Sequence, residues 1–339
     1  MNDDKISNVL PPPISEPADP NGNPGKESEP GGKADPQPSP GKGTQIPWHE
    51  FVQNASDYEI QNRFSAEVNQ IFVRYAAKLA DACVVALMDL ERSIDDYELD
   101  RIYNALKTQN PSKQKNVILF LLSRGGKIES AYQISKLCKT FSKQKFIVCV
   151  PRQAKSAGTL IAIGADEIHM GLLGQLGPID PQLGHPPIPA LGVTQALEAI
   201  AKLSNQYPGC SEMFAEYLRN TLTIAQIGYC ERVSESAAQY AERLLLTKPN
   251  LKDAASKISN ELVYEYKDHG FVIDIEEAKR HLGDDWIVGD SALIELAEEV
   301  YSLFDLVNLF LEVRANKYLI VGGSFNSDVY VFDKPQRAN

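Results

Sequence analysis

Three short, continuous apolar runs constrain this chain most: residues 84–88, 117–122 and 146–150, each followed by a turn signal and then by helical spacing. A run this short and this uniformly apolar reads as a strand buried on both faces, and strands alternating with helices build a parallel sheet with covering helices. Such crossovers are almost always right-handed. The first run leads to Ser93-Ile94-Asp95-Asp96, which predicts a helix through Leu106 with Ser93 as N-cap and acidic residues in its first turn. The second leads through Ser123-Arg124-Gly125-Gly126 to a predicted helix over 128–141, and the third to Ala154-Lys155-Ser156-Ala157-Gly158-Thr159 and an apolar helix.

Two of these turns carry chemistry. A serine on a small-residue turn between a strand and a helix lifts its hydroxyl clear of the backbone beside helix N-terminal amides, which suits Ser156 to act as a nucleophile. Paired glycines directly after a buried strand let the amides of Gly125 or Gly126 point into a cleft with no Cβ in the way. Together with the amide of Ala157 they can hold the oxyanion of an acyl-transfer intermediate. Each motif alone is weak, since most such turns are purely structural; their order on successive βα units gives them force.

At these residues the chain resembles the Clp-protease-like serine peptidases of the ClpP/crotonase superfamily, and within it the serine dehydrogenase proteinase family, relatives of signal peptide peptidase A. The matching text is Ser123-Arg124-Gly125-Gly126, the stretch from Lys155-Ser156-Ala157-Gly158-Thr159 to Ile168, and Leu176-Gly177-Pro178-Ile179-Asp180-Pro181-Gln182. Softer similarity extends from about Val84 to Asp268-His269-Gly270-Phe271-Val272-Ile273 and the following helix. The resemblance implies an α/β, ClpP/crotonase-like spiral of ββα units, and helical spacing over 194–205, 211–246, 251–266 and 291–313 adds a largely helical C-terminal elaboration. The resemblance also implies a serine peptidase acting on peptide or protein substrates as a homo-oligomer, with no cofactor. Arg124 stands where these families usually carry proline.

A serine hydroxyl needs a base, and here the sequence leaves several open. The position that roughly matches the Clp histidine falls at Ile179-Asp180, so Asp180 either orients a base, contacts substrate or caps a proline turn. His185, five residues on, and His269, at a helix-to-strand junction, are the candidate histidines. His169 reads as a surface histidine, and His49 and His281 lack context. Lys202, on the helix after the proline-rich 178–189 stretch, lies broadly where the Ser–Lys relatives place their base. Lys155 adjoins the serine, but neighbouring side chains on a turn diverge.

The rest of the chain bounds the setting. Residues 1–45 are rich in Pro, Gly, Ser, Asp and Lys and nearly lack large apolar residues, so they read as a disordered tail without a signal peptide. Residues 46–82 form a helical lead-in, 83–205 the catalytic core, and 206–339 a mainly helical region whose 317–332 end is strand-like, with Gly322-Gly323 as a hairpin turn. Five scattered cysteines fit reduced packing residues rather than disulfides or a metal site, and no window is long and apolar enough for a membrane span, which together point to the cytoplasm. A net charge of −11 argues against nonspecific nucleic-acid binding. Two other readings stay open: a degenerate Clp-like scaffold or peptide-binding module, and a crotonase-type acyl-CoA enzyme in which Ser156 is incidental.

Overall fold

Side-chain parity along the three apolar runs sorts the core into two layers, one on each face of a curled sheet. The structure is a computed structural model that describes residues 46–183 and 188–335. The expected 1–45 tail and His185 lie outside the described residues. The described chain begins with α1 (Trp48–Asn54), α2 (Asp57–Arg74) and α3 (Ala76–Leu79). A capping box starts α2: the Ser56 hydroxyl accepts from the Glu59 amide, while the Glu59 carboxylate accepts from the Ser56 amide. The buried residues Ile60, Phe64, Val68 and Ile71 follow helical spacing along it.

The runs themselves become β1 (Ala82–Asp89), then α4 (Asp96–Gln109), β2 (Asn116–Ser123), α5 (Ile128–Phe141) and β3 (Phe146–Val150). Short β4 (Gln153–Ala154), α6 (Ala157–Ile163), β5 (Glu167–Met170) and β6 (Gln175–Leu176) follow. Cys83, Val85, Leu87, Val117, Leu119, Leu121, Phe146 and Val148 face the layer that contains α5 and α6, whereas Ala86, Met88, Ile118, Phe120, Leu122 and Ile147 face α1 and α2. Each strand thus fills both layers, because successive side chains point to opposite faces. Phe120 packs against the rings of Phe72 and Phe325, at 6.2 and 5.6 Å, and those two rings also touch each other.

After β6 the chain forms an antiparallel pair, β7 (Gln182–Leu183) and β8 (Ile188–Pro189), inside the proline-rich 178–189 stretch. The helices α7 (Ala190–Gln206), α8 (Ser211–Thr221), α9 (Ile224–Leu245), α10 (Ala255–Asn260) and α11 (Ile275–Leu282) come next. α8 and α9 are separated where Leu222 is extended and Thr223 caps α9. The chain closes with β9 (Ile287–Val288), α12 (Ala292–Ala315), β10 (Lys317–Gly323) and β11 (Val329–Asp333).

Strand order is β11-β10-β1-β2-β3-β5-β9, parallel from β1 through β9 and antiparallel at the β10 and β11 edge; β4 pairs with β2 and β6. This is the α/β class, with the helix-rich C-terminal half that the helical spacing predicts. Two local expectations are corrected. The N-cap of α4 is Asp95, which shares a capping box with Glu98, because Ile94 is held extended by a bridge to Gly126. Gly322 and Gly323 lie inside β10 opposite Leu87 and Ala86, and the turn falls after them. Glycine suits that site because a Cβ on Gly322 would lie 3.0 Å from the Arg101 guanidinium. Among the described residues, no helix is long and apolar enough to cross a membrane.

Candidate active site

Pairing of β2 with β4 sets the two sequence motifs side by side: Ser123 is in register with Ala154, and the Lys155 amide donates to the Ser123 carbonyl at 3.0 Å. Ser156 then turns the chain sharply into α6 with φ 50° and ψ −113°, a conformation that non-glycine residues rarely adopt and that stores strain. The turn is closed by a 2.7 Å bond from the Gly158 amide to the Lys155 carbonyl, and Ser156 is buried. As the first residue of α6, Ala157 has an amide without an intrahelical partner.

The glycine loop packs directly on this turn. A Cβ on Gly125, whose φ is +113°, would lie 2.8 Å from the Ser156 Cβ, so only glycine allows the approach. The Gly125 amide donates to the Ser123 hydroxyl at 3.1 Å and its carbonyl accepts from the Ile94 amide at 2.9 Å. The Lys127 amide donates to the Ile94 carbonyl at 2.7 Å. These bonds engage both neighbours of the Gly126 amide and leave that amide itself free of them.

Two further segments converge here. Thr159 ties the 176–180 stretch to α6: its hydroxyl accepts from the Gly177 amide at 2.9 Å and lies 2.8 Å from the carbonyls of Ala154 and Gly177. Leu176 forms an antiparallel bridge with Ile273, and the Ile179 amide donates to the Leu262 carbonyl at 2.8 Å. The second segment turns at Asp268, whose side chain accepts from the Gly270 amide at 2.9 Å in an Asx turn. His269 Nδ1 thereby comes 3.6 Å from Asp180 Oδ2. Asp180 is buried and also accepts from Gln182 Nε2 at 3.3 Å, while the His269 ring is 29% exposed. Asp180 Oδ1 and His269 Nδ1 are both buried without a hydrogen-bond partner among the described residues.

Of the residues singled out in the sequence, Ser156, Gly125, Gly126 and Ala157 form one cluster, and Asp180 and His269 form a pair. Lys202 is exposed on α7, with no ion pair or hydrogen bond among the described residues. His185 lies outside the described residues. His169, expected at the surface, is instead 5% exposed on β5, its ring between the Ser291 hydroxyl at 2.7 Å and Glu167 at 3.3 Å. Desolvation is the largest influence on its pKa and lowers it. Lys155 diverges from Ser156 as expected for turn neighbours, but it does so into the protein, donating to the carbonyls of Leu176 and Phe271. Burial pushes its pKa down. Among the described residues, no group of three or more His, Cys, Asp and Glu is placed to hold a metal ion.

A family model described as ClpP-like SDH-type serine proteinase matches residues 85–322. Two uncharacterized proteins of Methanocaldococcus jannaschii are similar: one is 30% identical over 194 residues, 57% of this chain and 59% of that protein. The other is 25% identical over 205 residues, 60% of each. The chain thus spans about three fifths of the length of these curated relatives. Among solved structures, a mutant of the 1510-N membrane-bound stomatin-specific protease in complex with a substrate peptide aligns with a TM-score of 0.41 and 15% identity, over 75% of this chain and 89% of that one. ClpP1 from Listeria monocytogenes aligns with a TM-score of 0.37 and 16% identity, over 65% of this chain and 99% of that one.

Proposed function

The chain belongs to the ClpP-like SDH-type serine proteinases, and from that premise we propose that it cleaves peptide bonds through an acyl-enzyme on Ser156. In this reading the Ser156 hydroxyl attacks the scissile carbonyl and gives its proton to His269, which returns it to the leaving amine. Asp180 orients the imidazole and offsets the charge it acquires. The tetrahedral oxyanion sits between the amides of Gly126 and Ala157, donors that need no reorganisation as charge develops.

The observation that carries the reading is the strained Ser156 backbone held against a glycine loop that admits no Cβ. Strain of this kind persists only where the surroundings over-determine it, and it clusters at sites with a chemical task. The Asp180–His269 pair, with a buried polar atom on each partner that has no hydrogen-bond partner among the described residues, supports the choice of base. Catalytic hydrogen bonds in a substrate-free site are often long and tighten on binding. Lys202 has no polar tie to this cluster, so the Ser–Lys alternative takes second place. Four buried free cysteines and the half-buried Cys210 support a reducing compartment such as the cytoplasm. Exposed Met213 and Tyr217 on α8 and Ile224 on α9 supply apolar surface for a homo-oligomer.

The test is covalent labelling with a serine-directed fluorophosphonate, read by intact mass. One adduct on the wild-type protein that is lost in Ser156→Ala is expected. A protein that takes no label in any assembly state would instead be a binding module on a peptidase fold.

A further inference from the structure

We propose that Lys155 is a positioning residue that holds the segments carrying Asp180 and His269 against the Ser156 turn; the inference rests on the reading of His269 as base. Its side chain is nearly buried, with 9% exposure. The stem packs over Gly177, where a Cβ would lie 2.6 Å from Lys155 Cδ. At its end, Nζ donates to the carbonyls of Leu176 and Phe271, each at 3.0 Å. Leu176 lies four residues before Asp180, and Phe271 two residues after His269.

Burying a polar group costs stability unless it is hydrogen-bonded, and here the two carbonyls supply those bonds. The two segments also bind each other, through the Leu176–Ile273 bridge and the Ile179-to-Leu262 bond, but those contacts leave out the serine turn. Thr159 ties α6 to Gly177 alone among the two segments. Among the described residues, the bond from Lys155 to Phe271 is the one polar tie from residues 154–159 to the 268–271 turn. Lys155 therefore sets where the imidazole stands relative to the nucleophile, with its Nζ committed to two carbonyls.

The experiment compares fluorophosphonate labelling rates of Lys155→Met, His269→Ala and the double variant, together with carbon-13 NMR of the histidine rings. Lys155→Met keeps the stem and removes the staple. His269→Ala should slow labelling by about 10²-fold or more, as loss of a general base does. Lys155→Met should slow it by about tenfold or more, the effect of a displaced group. The double variant should be no slower than His269→Ala, because both changes act through one imidazole. In Lys155→Met the His269 resonance should move while those of His169 and His281 stay in place.

An unmoved His269 resonance overturns the inference, as does a double variant slower than His269→Ala by the full Lys155 factor. If His269→Ala labels at the wild-type rate, the assignment of the base falls, and the His269 resonance still decides whether Lys155 holds that turn. Should Lys155→Met not fold, Gly177→Ala displaces the same stem and is read in the same way.

Discussion

Replacing Gly126 by alanine should damage both stability and reactivity, through one clash. A Cβ there would lie 2.3 Å from the amide nitrogen and from the carbonyl oxygen of Ile94, and Gly126 has φ +152°, which L side chains rarely adopt. The obstacle is backbone, so no rotamer change relieves it. Ile94 must retreat, and with it go the bonds from the Ile94 amide to Gly125 at 2.9 Å and from Lys127 to the Ile94 carbonyl at 2.7 Å. Two backbone hydrogen bonds contribute about 0.5–1.5 kcal/mol each, and overpacking adds about 1–3 kcal/mol. The sum is about 4 kcal/mol, which at ~2–4 °C per kcal/mol lowers Tm by about 8–16 °C. The Gly126 amide shifts as well, so the rate of fluorophosphonate labelling should fall by about 10²-fold, the effect of losing one oxyanion donor. Calorimetry and intact-mass labelling measure the two. Gly209→Ala, where a Cβ meets nothing within 4 Å, is the control and should leave both unchanged. A Gly126→Ala protein that melts and labels like wild type would refute the steric reasoning and the oxyanion assignment together.

Asp180→Asn should leave the fold intact by circular dichroism and slow labelling by about 10²-fold or more, since the amide cannot stabilise a charged imidazole; a wild-type rate would remove Asp180 from the mechanism. Burial lowers the Lys248 pKa to about 8, below its unfolded value. Folding therefore releases a proton between pH 8 and the unfolded pKa near 10.5, and stability rises with pH across that window. In Lys248→Met this rise should be absent from denaturant midpoints measured over the same range. Phe120→Ala should destabilise by about 3–5 kcal/mol in urea titrations, because it empties a fully buried site packed against Phe72 and Phe325. A loss under 1 kcal/mol, roughly the scale of a surface change, would contradict that packing.

The sequence alone marked the strands, because apolar runs of five or six residues, rich in Val, Ile and Phe and bounded by turn signals, suit a sheet covered on both faces. It also marked Gly125, Gly126 and Ser156, since conformations closed to most side chains select their residues by local sterics. The bounds of α5, Ile128–Phe141, were legible for the same reason: spacing and turn signals act within a few residues. Position 94 was not legible that way. Ser93 has the chemistry of a cap, but Ile94 is claimed by Gly126 some thirty residues away, and the cap falls two residues later, at Asp95. The burial of His169 was not legible because β5 is flanked on one side by β9 and its ring is met by Ser291, both far along the chain. The pairing of Asp180 with His269, and the reach of Lys155 to both of their segments, bring together residues up to 116 apart. No local pattern encodes such distances. They arise when two loops close over the edge of a sheet, and they exist only once the chain has packed.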